Sequence, residues 1–132
     1  MSQYLLDTNI CIYYFKGLYE LDKKFTEVGF KNISISEITL AELKFGAERS
    51  QQKVKNRRII DQFAASTRII PIYNALDIYA KEKARLKAKG RIVDDFDLLI
   101  GASAISNGLT LVTRNTKHFR NLASIKLENW AE

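Results

Sequence analysis

Three acidic residues sit where a carboxylate is expensive. Asp7 interrupts an apolar segment, between Tyr4-Leu5-Leu6 and Ile10-Cys11-Ile12-Tyr13-Tyr14-Phe15. Glu42 lies four residues after Ile38 and three before Phe45, on one face of a helical pattern. An acid on an apolar face must be paired, neutralised or bound to a cation. Asp97 opens the run Asp97-Leu98-Leu99-Ile100-Gly101-Ala102-Ser103-Ala104-Ile105, in which Ser103 is the only other polar side chain. That run reads as a helix buried nearly all round. A fourth polar point follows Leu111-Val112, where Thr113 offers a hydroxyl and Asn115 a carbonyl oxygen. Acids brought close together repel, and each tends to take up a proton; a divalent cation removes the conflict. Oxygen donors of this kind suit Mg²⁺ or Mn²⁺.

Each residue also has a plainer use. Asp7 can cap the helix that follows it. Thr39-Leu40-Ala41-Glu42 has the form of a capping box. Thr113 and Asn115 can begin a turn. Asp94 and Asp95 read as helix caps or solvated charges. His118 reads as a surface residue beside Lys117 and Arg120. With one histidine and one cysteine, far apart in the chain, no zinc ligand set can be assembled. No Gly-x-Ser-x-Gly elbow, phosphate-binding Walker loop or dinucleotide glycine fingerprint is present.

The elements that must position these residues follow from the apolar pattern. Strands are expected at Tyr4–Leu6, Ile33–Ile35, Arg68–Ile72, Thr110–Thr113 and Ile125–Leu127. Helices are expected over 8–16, ending near Gly17, and over 19–28, before Gly29. Further helices are expected over 36–48, 52–66 and 75–89, the last stopped by Gly90. Another spans 98–105, preceded by Asp94-Asp95. On the helix over 36–48, Ile38, Ala41 and Phe45 mark the expected core face. Gly101 and Ala104 share the face of Asp97 and allow a neighbouring element to approach closely. Strands alternating with helices predict an α/β domain with a mainly parallel sheet. Asp7 then falls just past the C-terminal end of the first strand, where open α/β sheets place their ligands.

A chain of 132 residues, 46% hydrophobic and 27% charged, is expected to form one domain with a real core. No apolar run is long enough to span a membrane, and the N-terminal residues lack the pattern of a signal peptide. A lone cysteine fits a cytoplasmic setting, and Cys11, inside an apolar segment, reads as inert packing. The net charge of +6 suits a polyanionic partner.

Four motifs in order resemble the PIN-domain ribonucleases, and most closely the VapC-type toxins of type II toxin–antitoxin pairs. They are Tyr4-Leu5-Leu6-Asp7-Thr8-Asn9, Ser36-Glu37-Ile38-Thr39-Leu40-Ala41-Glu42-Leu43-Lys44-Phe45-Gly46, Phe96-Asp97-Leu98-Leu99-Ile100-Gly101-Ala102, and Leu111-Val112-Thr113-Arg114-Asn115-Thr116-Lys117-His118-Phe119. The ending Lys126-Leu127-Glu128-Asn129-Trp130 is similar as well. The likeness covers essentially the whole chain. It implies a single PIN-like nuclease domain over 1–132, with three α/β/α layers around a mainly parallel sheet. It implies Mg²⁺-dependent hydrolysis of RNA, with Mn²⁺ as the other candidate ion. Asp7, Glu42 and Asp97 become the catalytic, metal-site acids, with Thr113 and Asn115 as auxiliary residues. Many members carry a fourth acid where this chain has Asn115, which supplies less charge to a second ion. The resemblance further implies a homodimer and a small VapB-like antitoxin whose C-terminal segment blocks the site.

RNA phosphates need positive partners. Arg114, Lys117 and Arg120 follow a site motif directly and are the expected phosphate contacts. Lys81, Lys83, Arg85, Lys87, Lys89 and Arg91 form a second basic group, and Lys53, Lys55, Arg57 and Arg58 a third; both also read as solvated helix surface. Tyr13, Tyr14 and Tyr19 are aromatic enough to stack on unpaired bases, although core packing is the commoner use of such rings. Two alternatives remain: a metal-dependent nuclease acting on DNA or as a 5′-nuclease, and a non-catalytic RNA-binding or receiver-like module with a regulatory acid pocket; against a receiver, Tyr73-Asn74 rather than an aspartate follows the middle strand at Ile69–Ile72.

Overall fold

Alternation along the short strands builds the core. In the computed structural model, which describes residues 3–132, β1 (Tyr4–Leu6) turns Leu5 to one face of the sheet and Leu6 to the other, and both are fully buried. β2 (Ile33–Ser36) sends Ile33 and Ile35 to the Leu6 side, while the Ser34 hydroxyl donates to the Tyr4 carbonyl. β3 (Arg68–Ile70), β4 (Thr110–Val112) and β5 (Lys126–Glu128) complete a five-stranded sheet in the order β3-β2-β1-β4-β5, with every neighbouring pair parallel.

Helices cover both faces, as a parallel sheet requires. On the Leu6 side lie α1 (Thr8–Phe15), α2 (Leu21–Val28), α3 (Glu37–Glu48) and α4 (Lys53–Ser66), joined by an aromatic cluster of Tyr14, Phe25, Phe63 and Trp130. On the Leu5 side lie α5 (Leu76–Ala88), α6 (Asp95–Ser106) and the short α7 (Thr116–Phe119), around Leu98, Ile100, Leu111 and Phe119. The result is the expected three-layer α/β/α arrangement. Gly101 allows the predicted close approach: a Cβ there would collide with the Leu122 side chain.

Several boundaries differ from expectation, each for a physical reason. α2 starts at Leu21, because Tyr19 and Glu20 are both left-handed, with φ of 57° and 52°. α6 begins at Asp95, three residues before the apolar run, because Asp94 accepts from the Phe96 and Asp97 amides and so nucleates the first turn. β3 stops before Pro71 and lies at the sheet edge, where a missing N–H is tolerated. The core face of α3 is Thr39, Leu43 and Ala47, whereas Phe45 is 65% exposed and Ala41 is exposed. The expected stripe of Ile38, Ala41 and Phe45 is therefore not the buried one.

Candidate active site

The sheet's C-terminal edge collects the residues singled out from the sequence. β1 ends at Leu6, and Asp7 follows as the N-cap of α1, its Oδ1 accepting from the Thr8 amide at 2.8 Å. The cap and ligand-site readings of Asp7 are thus compatible: one oxygen fixes the helix, and the residue still lies at the strand end. Neighbouring β4 runs into Thr113, whose hydroxyl donates to the other Asp7 oxygen at 2.8 Å. Only 5% of Asp7 is exposed. Thr113 also accepts from the Asn115 amide at 3.0 Å, which turns the chain just beyond the strand.

Glu42 comes from α3. The Thr39–Glu42 capping box does not form; Ser36 caps α3 instead, accepting from the Thr39 amide at 3.1 Å. Glu42 Oε1 accepts from the Thr8 hydroxyl at 2.6 Å. Thr8 therefore links two of the acids, with its amide on Asp7 and its hydroxyl on Glu42. Asp97 projects from the first turn of α6, half-buried, with Oδ2 3.4 Å from His118 Nδ1.

The electrostatics of the cluster are uniform. Burial pushes the Asp7 carboxyl above its ordinary pKa, and the Asp97 charge adds to the effect. Burial also raises Glu42, with contributions from Asp7 and Asp94. Asp97 is raised by burial first, then by Asp94 and, more weakly, by Glu42. Burial is thus the largest cause in all three, each also feels a neighbouring carboxylate, and His118 offsets part of this at Asp7 and Asp97. Asp94 belongs to this field as well as capping α6, a second role its position before the helix did not disclose.

His118 lies at the surface, as expected, and has a contact that the pattern did not disclose. Its side chain is mostly exposed, yet it touches Asp97, because α7 docks against α6. Its place three residues after Asn115, the residue that precedes α7, was the available signal. Of the expected phosphate contacts, Lys117 lines the groove of about 490 Å³ that Asp97 borders, together with Arg91 and Asn121. Arg120 is exposed beyond α7, and Arg114 lies over the rings of Tyr13 and Tyr19. Glu42 borders a separate groove between α3 and α4, lined also by Lys16, Arg49 and Lys55. Two members of the second basic group are already paired, Lys83 with Asp95 and Arg85 with Glu82. In the third group, Arg57 is paired with Asp61. Cys11 is fully buried, and burial raises its thiol pKa, so it packs as an inert core residue.

The donor set is hard oxygen, which suits Mg²⁺ or Mn²⁺. Among the described residues, no three His, Cys, Asp or Glu side chains are gathered tightly enough to enclose an ion directly. A cation near the three acids would relieve the like-charge part of their shifts, and Mg²⁺ commonly keeps part of its water shell.

Known proteins resemble this chain over nearly their full length. The chain matches the PIN domain family over residues 4–125. It is 38% identical to ribonuclease VapC2 of Rickettsia felis, covering 96% of this chain and 97% of that protein. It is 33% identical to the tRNA(fMet)-specific endonuclease VapC of Shigella flexneri, covering 99% of this chain and all of the relative. Among solved structures, DNA-bound VapBC from Salmonella typhimurium superposes with a TM-score of 0.91 at 31% identity, covering 98% of this chain and 99% of the other. Promoter-DNA-bound VapBC2 from Rickettsia felis superposes with a TM-score of 0.89 at 36% identity, covering 96% of this chain and 98% of its counterpart.

Proposed function

The chain is a PIN-domain protein of the VapC ribonuclease family, and from that premise we propose that it is a Mg²⁺-dependent endoribonuclease, the toxin of a toxin–antitoxin pair. The observation that carries this reading is the convergence of Asp7, Glu42 and Asp97 at one edge of the sheet, each with its pKa raised. Asp7 and Asp97 hold the ion, directly or through water. Such an ion, when bound, acidifies a water molecule and offsets charge gathering on the phosphate.

The chain's own residues do the positioning. Thr113 and the Thr8 amide fix both Asp7 oxygens, so that the carboxylate keeps one orientation. Thr8 holds Glu42 by Oε1 alone, leaving Oε2 to orient a water near the scissile phosphate. Glu42 then serves as ligand or base. Lys117, bordering the Asp97 groove, can meet a flanking phosphate. His118 steadies Asp97 from the same groove.

The name of the Shigella flexneri relative makes tRNA(fMet) the first substrate to try. The VapBC complexes among the solved relatives support a small VapB-like antitoxin as partner. A homodimer completes the proposal; the exposed Tyr73, Leu76 and Phe96, near the starts of α5 and α6, are apolar surface that such an assembly can cover. No helix among the described residues is long and apolar enough to cross a membrane.

The test is cleavage of tRNA by antitoxin-free protein with and without Mg²⁺, beside Asp7→Asn, Glu42→Gln and Asp97→Asn. Mg²⁺-dependent cleavage by the wild type, lost in folded variants, is the expected result. RNA binding without any cleavage, or cleavage of DNA alone, defeats the proposal.

A further inference from the structure

Among the described residues, Tyr19 and Glu20 are the one consecutive pair of non-glycine residues with positive φ. α1 ends at Phe15, Gly17 turns the chain with φ of +71°, and Tyr19 and Glu20 follow in the left-handed region, where a side chain is disfavoured. Consecutive non-glycine residues of this kind persist only when their surroundings hold them there. The turn brings the Tyr19 ring edge-on to Tyr13, with centroids 5.3 Å apart and planes at 68°. Arg114 lies over both rings, its guanidinium carbon 5.8 Å from the Tyr13 centroid and 5.5 Å from that of Tyr19.

This arginine is unlike the paired bases elsewhere. Arg57, Lys83 and Arg85 each meet a carboxylate; Arg114 takes part in none of the ion pairs among the described residues. It is exposed, and contact with Tyr13 and Tyr19 favours its charged form. Its neighbour Thr113 touches Asp7. Tyr19 is 37% exposed, while Tyr13 is half-buried and backs the stack from α1. A guanidinium beside an exposed aromatic ring offers a planar surface as well as a charge.

We propose that Arg114, Tyr19 and Tyr13 form a platform for an unpaired RNA base next to the carboxylate cluster, placing a nucleotide that flanks the cut. The proposal rests on the ribonuclease reading of that cluster and reassigns Arg114 from phosphate contact to base stacking. Unpaired bases are recognised by stacking on aromatic rings and guanidinium planes. Double-helical RNA keeps its bases stacked within the helix and has none to offer this surface.

The test uses fluorescent oligoadenylate octamers and an abasic octamer of the same length and charge, their binding followed by anisotropy in EDTA. Cleavage of total tRNA with Mg²⁺ is measured on the same preparations. Wild type is expected to bind the adenylate about tenfold more tightly than the abasic strand. Tyr19→Leu and Arg114→Lys should bring that ratio close to one, and Tyr19→Phe should keep it. Arg114→Lys preserves the charge, so a ratio it leaves unchanged overturns the platform and returns Arg114 to the phosphates. A wild-type ratio of one also overturns it, whatever happens to tRNA. Failure to cut tRNA with the ratio pattern intact removes the nuclease reading and leaves the platform standing as a binding site.

Discussion

Glu82 and the trio of Asp7, Glu42 and Asp97 are the same chemistry treated in opposite ways. Glu82, buried on α5, accepts two hydrogen bonds from Arg85 and one from the Ala123 amide, while Arg85 also donates to the Asn121 carbonyl. Pairing with Arg85 holds its pKa below the ordinary value. This ion pair clasps α5 to the segment between α7 and β5, and its charge is fully answered within the chain. Across the sheet edge, the trio receives hydroxyls and amides but, His118 aside, no cation of its own, and all three pKa values rise. The carboxylate that clasps the chain is neutralised within it; the three at the sheet edge are left short of positive charge.

The largest effect should come from the trio. Asp7→Asn is expected to lower the rate of tRNA cleavage by about 10²–10³-fold, the loss of several kcal/mol of charge stabilisation. The same variant should unfold in EDTA no more easily than wild type, and its Tm should rise because a disfavoured buried charge is gone. A lower Tm would erase the contrast with Glu82. Glu82→Ala should do the reverse. It should cost about 2–3 kcal/mol in urea unfolding, at the low end for a buried pair because Arg85 is partly exposed, while cleavage per folded molecule stays at the wild-type level.

Thr113→Val removes the buried donor to Asp7 without touching either acid. A fall of about tenfold in cleavage rate is expected, with the acidic limb of the pH–rate profile displaced to higher pH. A rate equal to wild type would mean that Asp7 needs no such anchoring.

The smallest effect is a difference in pH slope. The trio's folded pKa values lie above their unfolded ones, so in EDTA their contribution favours folding at low pH. It turns against folding as the pH rises through the raised values. Glu82 has a lowered folded pKa, so its contribution is present above the unfolded value and lost as the pH falls through the folded one. Asp7→Asn should therefore flatten the decline toward neutral pH, and Glu82→Ala should flatten the decline on the acid side. Added Mg²⁺ should restore stability to wild type near neutral pH and do little for Asp7→Asn, both read from thermal melts.

Much of the frame was legible because parallel strands are short apolar runs bounded by polar residues, and all five appear where the pattern places them. Asp7 was legible for the same reason: a charge between two apolar runs has few places to go. The face of α3 was misread because Phe45 is more hydrophobic than Thr39, yet Thr39 is buried where hydroxyls of Thr8 and Ser36 are within reach. A residue-type pattern cannot register that exchange. The contact of His118 with Asp97 was illegible because it depends on how α7 docks on α6. The left-handed pair at Tyr19 and Glu20 lacks the glycine or asparagine that usually announces such a turn.

The bond between Thr113 and Asp7 spans 106 positions of the chain. During synthesis Asp7 leaves the ribosome early, but nothing holds its second oxygen until β4 has emerged and settled beside β1. Loop closure over such a distance comes late in folding. A chain made as far as Asp97 thus carries all three acids, but Asp7 gains its hydrogen bond from Thr113 only after β4 has followed.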